Sequence, residues 1–190
     1  ENFSYFRMDY YSSDFIDPVS GKSSLDMAKE ALHVCRSFVD SFGSKFQNLL
    51  IYGNTGVGKT FLTHCIAREL MDHIHSVIYV TSSQLFDILG SREFDTDPEK
   101  RQAGALLDEC ELLIIDDLGT ELTNSFTVSQ LFICLNDRIL QKKSTIISTN
   151  LSLNEIKSIY SERTFSRISS NYRLLKLAGD DIRIKKKLMK

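Results

Sequence analysis

The sequence predicts a three-layer α/β fold, with helices on both faces of a central parallel sheet of five strands. Two observations carry this prediction. Short apolar runs alternate along the chain with longer segments whose apolar residues recur at helical spacing. The short runs are continuously apolar, which is typical of parallel strands that are buried on both faces.

Five runs rich in β-branched and aromatic residues are the predicted strands. They cover 48–52, 76–81, 112–116, 144–148 and 172–177. Helical spacing predicts helices over 25–42 (capped by Ser24), 59–73, 82–89, 97–110 and 128–141, with two short ones from 153 and over 161–169. The polar stretches 90–99 and 119–127 are predicted loops.

Length and composition favour one cytoplasmic domain. The chain has 190 residues, 42% of them hydrophobic, and a net charge of −2, which excludes a uniformly basic nucleic-acid binder. No run reaches transmembrane length and no secretory signal is visible. Four widely spaced cysteines form no CxxC pair, so we expect neither a zinc site nor a disulfide framework.

Residues 1–24 are predicted to be an irregular linker, and 25–190 the main domain. The linker is the most aromatic part of the chain. Two interpretations are open: its rings pack on the core of the domain, or they lie along a ligand site and shield a base. Because the chain starts at Glu1 and not at Met, we expect a fragment whose N-terminal part is missing.

A phosphate-binding loop follows the first predicted strand. Gly53 to Thr60 reads GNTGVGKT, which fits Gly, four residues, Gly-Lys-Thr between a strand and a helix. Glycines allow main-chain amides to approach a polyphosphate, and the helix N-terminus adds to this anion site. Lys59 can reach the β- and γ-phosphates, and the Thr60 hydroxyl can bind Mg²⁺. The predicted nucleotide contacts are Gly53, Asn54, Thr55, Gly56, Val57, Gly58, Lys59, Thr60 and Phe61.

Polar residues end two later strands. Asp116 and Asp117 follow the apolar run Leu112–Ile115, and Asn150 follows 144–149. Ligands of parallel α/β sheets bind at the carboxyl ends of the strands. We therefore assign Asp116 to the Mg²⁺ shell and Asp117 to accepting a proton from the attacking water. Asn150 orients that water, or it caps the following turn.

In chain order, GNTGVGKT, IIDDLG, STN, ERTFSRI and GDDIR resemble the AAA+ ATPases. Within them the chain is similar to the DnaC/DnaI bacterial helicase-loader family and its IstB-like relatives. The resemblance implies a P-loop NTPase fold that binds and hydrolyses ATP with Mg²⁺. It covers about residues 3–183. The usual motif ends in Asp-Glu, so Asp117 departs from it, and we expect slow hydrolysis that depends on assembly.

The resemblance also assigns residues that spacing does not. Asn150 matches sensor 1. Arg167 matches the arginine finger, which reaches the site of a neighbouring subunit, and Arg163 is a second candidate. Arg183 matches the sensor 2 arginine, expected to contact the γ-phosphate within its own chain. The alternative for each arginine is a surface ion pair with a nearby Asp or Glu.

Family members bind single-stranded DNA through the pore of a ring or spiral. The loop 120–127 is placed for that contact, with Phe126 stacking on a base or else packing beneath the loop. The basic residues near the C-terminus contact phosphates or are solvated. The implied partners are the replicative DNA helicase, bound through an absent N-terminal domain, single-stranded DNA and other copies of the chain.

The favoured interpretation is the ATPase module of a replicative helicase loader in DNA replication. A transposition helper ATPase carries the same module with another partner. A third interpretation is a non-hydrolysing module in which ATP organises protein contacts, and the departure at Asp117 keeps it open.

Overall fold

The parallel sheet of five strands is confirmed. The computed structural model describes residues 2–94 and 98–188. Its strands are β1 Asn48–Tyr52, β2 Val77–Thr81, β3 Leu112–Leu118, β4 Ser144–Thr149 and β5 Tyr172–Lys176. Their order across the sheet is β2-β3-β4-β1-β5, and every pair is parallel. This order brings the ends of β1, β3 and β4 side by side at the centre.

Helices cover both faces of the sheet. They are α1 Ser24–Asp40, α2 Lys59–Asp72, α3 Ser82–Phe94, α4 Pro98–Glu109, α5 Ser125–Leu140, α6 Leu153–Asn171 and α7 Ile182–Leu188. α1 and α2 share one apolar cluster with the sheet, while α3, α4, α5 and α6 contribute to the cluster on the other face. Within the described ranges, no helix combines the length and the apolar content that a membrane span requires.

Several helix boundaries differ from the predicted ones, and α7 was not predicted. α3 continues through Gly90 to Phe94, and residues 95–97 of the predicted loop lie outside the described residues. α5 begins at Ser125, because Asn124 and Thr127 form a reciprocal capping box that starts it early. Phe126 therefore lies in the first turn of α5 and not in a loop. The two short helices form α6, with a break at Ser161 (φ 80°).

The N-terminal segment packs against the domain. Phe3, Phe6 and Tyr11 are buried in the cluster that α1 and α2 share with the sheet, which is the first of the two interpretations of this segment. The segment is also attached to edge strand β5, because the buried carboxylate of Asp17 pairs with the Lys176 ammonium. Asp17 Oδ2 also accepts hydrogen bonds from the Ser20 amide and hydroxyl. The boundary at residue 24 stays a prediction.

We expect Asp17→Asn to destabilise the protein in a pH-dependent way. The hydrogen bond from Lys176 and those from Ser20 lower the pKa of Asp17 from 3.8 to about 2, although burial opposes them. A lowered carboxyl pKa stabilises the fold above the unfolded-state pKa, and this contribution is lost as pH falls through the folded-state pKa. At neutral pH the free energy of unfolding should fall by about 2 kcal/mol. Urea unfolding measures it.

The difference between wild type and Asp17→Asn should shrink as pH falls from about 4 towards 2. The matched control is Asp14→Asn, whose exposed carboxylate is in the same segment and should change stability by less than about 0.5 kcal/mol. A destabilisation of Asp17→Asn that does not vary with pH would contradict the ion pair as its cause.

Candidate nucleotide-binding site

The predicted phosphate loop joins β1 to α2. Its three glycines, Gly53, Gly56 and Gly58, all have the positive φ angles that favour glycine. A Cβ on Gly53 (φ +144°) would lie 1.8 Å from the carbonyl oxygen of Leu177, which follows β5. Gly58 (φ +97°) is the N-cap of α2, and a Cβ there would lie 2.8 Å from the Tyr11 hydroxyl. The loop is thus in close contact with both ends of the chain.

Lys59 is buried and connects the ends of two strands. Its ammonium donates to the carbonyl oxygens of Gly53 (2.7 Å) and Asn54 (2.8 Å) and to Oδ1 of Asn150 (2.6 Å). Burial lowers the pKa of Lys59, while the nearby carboxylates of Asp117 and Asp116 oppose that shift. The structure therefore brings Asn150 into the site, at the end of β4 and in contact with the phosphate-loop lysine.

Asp116 lies beside Thr60. Thr60 Oγ1 is 3.4 Å from Asp116 Oδ1, and Ser148 donates a hydrogen bond to the same oxygen. The Tyr79 hydroxyl donates to Asp116 Oδ2 at 2.8 Å. Paired hydroxyl and carboxylate oxygens fit Mg²⁺, which usually binds one or two protein oxygens together with substrate phosphates and water. In the described part of the chain, no group of three His, Cys, Asp or Glu side chains could hold a metal by itself.

Asp117 interrupts β3. It has a left-handed backbone (φ +55°), and the pairing of β3 with β4 shifts register between Ile115 and Leu118. This bulge turns the Asp117 side chain to the cavity described below. Its amide donates to Ser148 Oγ at 3.1 Å. Burial raises the pKa of Asp117, as does the charge of Asp116, and Lys59 and Arg183 oppose them.

A cavity of about 320 Å³ opens above the phosphate loop. It is lined by residues of the N-terminal segment, the loop, two strand ends and α7. The lining residues are Tyr5, Phe6, Arg7, Tyr10, Tyr11, Thr55, Gly56, Gly58, Lys59, Thr60, Phe61, Asp117, Asn150, Ile182, Arg183 and Lys186. The N-terminal aromatic residues thus pack on the core and also lie along the site.

Arg183 lies at the cavity and is also ion-paired. Its guanidinium contacts the Asp181 carboxylate at 3.1 Å. The start of α7 is held against the loop, because the Ile182 amide donates to the Gly56 carbonyl at 2.9 Å. The sequence offered two alternatives for Arg183: a position at the nucleotide site or an ion pair with a nearby Asp. In the structure Arg183 has both. α7 also orders the basic C-terminal residues as far as 188.

Arg163 and Arg167 lie on the exposed surface of α6, outside the cavity of their own chain. Within the described residues neither side chain forms an ion pair, and Glu162 pairs with Lys157 instead. Phe126 is half-buried beside Gly90 of α3 and lines a second cavity, together with the acidic residues Asp87 and Glu121. The structure does not bring Phe126, Arg163 or Arg167 to the nucleotide loop.

Sequence reasoning missed several polar partners in this site. Ser148 contacts both Asp116 and Asp117. In the sequence it stood out only as the first residue of the STN triplet. Tyr79 was assigned to a strand by its β propensity alone. Tyr11 donates to the Val57 carbonyl at 2.8 Å, and the buried Tyr160 donates to Glu121 after β3. For Tyr79 the available signal was a polar atom in an otherwise apolar strand, since such an atom needs a partner when buried.

Comparison with known proteins shows the family to which the chain belongs. A family model described as an IstB-like ATP-binding protein matches residues 24–189. The chain belongs to the IstB-like ATP-binding protein family. Membership of an ATP-binding family supports nucleotide binding by this chain.

Two helicase loaders are among the relatives of this IstB-like protein. The replicative helicase loader DnaI of Bacillus subtilis is 29% identical over 166 residues, 84% of this chain and 51% of that protein. The replicative helicase loader DnaC of Escherichia coli K12 is 23% identical over 138 residues, 73% of this chain and 56% of that protein. The chain spans about half the length of these relatives.

Solved structures confirm the AAA+ P-loop fold of the IstB-like chain. A crystal structure of the DnaC helicase loader has a TM-score of 0.71 at 22% identity, covering 93% of this chain and 98% of that chain. The replication initiator DnaA bound to AMPPCP and single-stranded DNA has a TM-score of 0.69 at 22% identity. The match covers 97% of this chain and 56% of the DnaA chain.

We expect Gly53→Ala to disrupt the site and to destabilise the IstB-like domain. The added Cβ meets the Leu177 carbonyl at 1.8 Å, and the backbone angle is strained for alanine. The free energy of unfolding should fall by about 3 kcal/mol or more. Urea unfolding and the binding of a fluorescent ATP analogue measure the two effects.

Gly21→Ala is the matched control for Gly53→Ala. Gly21 also has a positive φ (+67°), but a Cβ there meets nothing within 4 Å. It should cost only the backbone strain, about 1 kcal/mol, and leave nucleotide binding unchanged. Equal losses in the two variants would show that the contact with Leu177 is not what requires glycine at position 53.

Proposed function

We propose that this chain is the ATP-binding and ATP-hydrolysing module of a bacterial replicative helicase loader, acting in DNA replication in the cytoplasm. One observation carries the proposal. Lys59 contacts Asn150, Thr60 lies beside Asp116, and Asp117 turns to the same cavity. These groups are the lysine, the metal-binding oxygens, the base and the polar orienting group that ATP hydrolysis requires.

Each group has a proposed role in the reaction. The loop amides and Lys59 bind the phosphates of ATP, which replace the carbonyl oxygens that now surround the ammonium. Thr60 and Asp116 hold Mg²⁺, which neutralises charge on the phosphates. Asn150 orients the attacking water, and Asp117 takes its proton.

Assembly is proposed to complete the site. Arg167 is exposed on α6 and remote from the cavity of its own chain, so it is free to enter the cavity of a neighbouring copy. An arginine at the transferring phosphoryl group stabilises the charge that develops there. Arg183 supplies the cation within the chain, and Arg163 is the second candidate for the neighbour. Hydrolysis then depends on the concentration of the protein.

The proposed partners are a replicative DNA helicase and single-stranded DNA. Support for the helicase comes from the names of the relatives DnaI and DnaC, which are replicative helicase loaders. Support for the DNA comes from DnaA, which has the same fold and was solved with single-stranded DNA. We propose that ATP binding promotes assembly and DNA contact, and that hydrolysis releases the loader.

A transposition helper ATPase is the second candidate, because the matching family model is described as IstB-like. It shares the module and differs in its partner. Binding of the protein to a replicative helicase, compared with binding to a transposase, separates the two. A non-hydrolysing binding module is the third candidate, since Asp117 stands where the AAA+ motif has Glu, and ATP turnover tests it.

We expect ATP turnover per subunit to rise with protein concentration and to fall at least about a hundredfold in Arg167→Ala. The reason is that Arg167 is proposed to act in the site of another copy. Binding of a fluorescent ATP analogue to Arg167→Ala should remain. Turnover is measured as phosphate release over a range of protein concentrations, with and without single-stranded DNA.

Arg68→Ala is the control for Arg167→Ala, because Arg68 is also exposed on a helix and pairs only with Asp72 of the same helix among the described residues. It should leave turnover unchanged. Lys59→Ala should abolish nucleotide binding. Any turnover that remains in this variant is background that does not come from this site. Turnover that is flat with concentration and insensitive to Arg167 would refute the mechanism across subunits and leave a nucleotide-dependent binding module.

Phe126 is proposed to contact a base of single-stranded DNA. We expect Phe126→Ala to weaken DNA binding by roughly 1–3 kcal/mol, the contribution of one stacked base. Fluorescence anisotropy with a labelled oligonucleotide measures it. Phe46→Ala is the control, since Phe46 is a half-buried ring at the other end of the sheet. Lost stability with unchanged DNA affinity would show that Phe126 only packs against α3.

A further inference from the structure

A tyrosine of the edge strand β2 lies beneath the paired oxygens of Thr60 and Asp116. The Tyr79 hydroxyl is 2.8 Å from Asp116 Oδ2 and 2.9 Å from the hydroxyl of Thr63, a residue of α2. Thr63 in turn donates to the backbone carbonyl of Thr60 at 3.0 Å. A chain of hydrogen bonds thus connects the two proposed Mg²⁺ ligands through one tyrosine.

The direction of these bonds follows from charge. An ionised carboxylate only accepts hydrogen bonds, so the single proton of Tyr79 points to Asp116. The single Thr63 proton has two acceptors within reach, the Thr60 carbonyl and the Tyr79 oxygen. The ring of Tyr79 is itself held by His64, whose ring centroid is 4.7 Å away. Tyr79 is therefore a fixed donor and not a mobile side chain that meets Asp116 by chance.

The two oxygens of Asp116 have different partners. Ser148 of β4 donates to Oδ1, on the side of Thr60, and Tyr79 of β2 donates to Oδ2. The terminal torsion of an Asp side chain has no sharp preference, so its plane must be set by its surroundings. Donors from the strands on either side of β3 fix that plane. Asp116 is buried, so loss of one donor leaves an oxygen that water does not readily reach.

We propose that Tyr79 is the positioning residue that orients Asp116 to bind Mg²⁺, a role that rests on the proposed ATPase function. Ser148 donates to the oxygen nearest Thr60, and Tyr79 donates to the opposite oxygen, so these two donors set the orientation of the carboxylate beside Thr60. Partners of metal ligands in this position typically change metal affinity or activity ten- to a hundredfold when removed. Tyr79 touches Asp116 and acts through it.

The test is Tyr79→Phe, which removes the hydroxyl and keeps the ring against His64. Affinity for a fluorescent ATP analogue is measured in EDTA and then across a Mg²⁺ titration. We expect unchanged affinity in EDTA, since the loop and Lys59 are intact. The Mg²⁺ concentration that gives half of the Mg²⁺-dependent gain in affinity should rise by about tenfold or more. The same shift should appear in the Mg²⁺ dependence of turnover.

Tyr172→Phe is the matched control. Tyr172 is a buried strand tyrosine on β5 whose hydroxyl has no hydrogen-bond partner among the described residues. Its removal should leave the Mg²⁺ titration unchanged. Thr63→Val removes the hydroxyl that contacts Tyr79 and keeps the shape of the side chain. It should raise the Mg²⁺ concentration for half of the gain in affinity by less than Tyr79→Phe does.

The outcomes separate this inference from the proposed function. A wild-type protein whose nucleotide affinity and turnover ignore Mg²⁺ would overturn the proposed ATPase site itself. A wild type that responds to Mg²⁺, together with a Tyr79→Phe variant that responds identically, would overturn only the role of Tyr79. An equal loss of affinity in EDTA and in Mg²⁺ would also overturn it, because it would show a general structural defect.

Discussion

The site depends on one buried ammonium group. Lys59 is almost inaccessible to water, so its charge must be met by protein groups. Two of these groups are backbone carbonyls of the phosphate loop, and the third is the Asn150 amide oxygen at the end of β4. The position of β4 beside β1 is therefore a requirement of the site. A charged phosphate oxygen forms a stronger hydrogen bond with an ammonium group than a neutral carbonyl oxygen does.

Both ends of the chain fold onto the same loop. Tyr11 donates to the Val57 carbonyl from the N-terminal segment, and the Ile182 amide donates to the Gly56 carbonyl from the start of α7. The two ends also meet each other, because Lys185 donates to the Tyr10 carbonyl. The cavity is thus lined on two sides by the N-terminal segment and by α7, and both contact the phosphate loop directly.

The outer face of α6 is coupled to the site through the interior. Tyr160 is fully buried and donates to Glu121, and Glu121 accepts the Gly119 amide just after the acids of β3. The next residue, Ser161, has the left-handed backbone that breaks α6 ahead of Arg163 and Arg167. The same interior contacts that fix the end of β3 therefore fix the helix that carries the arginines.

The sequence by itself determined the strands, the phosphate loop and the acids, because continuous apolar runs and the Gly-Lys-Thr pattern are local signals. The strand β1 was predicted with the bounds that the structure has. Tertiary structure decided the rest. The bulge at Asp117 and the hydrogen bonds to Asp116 from Tyr79 and Ser148 depend on which segments meet in space. Spacing along the chain cannot give the partner of a buried polar atom, because that partner comes from a distant segment.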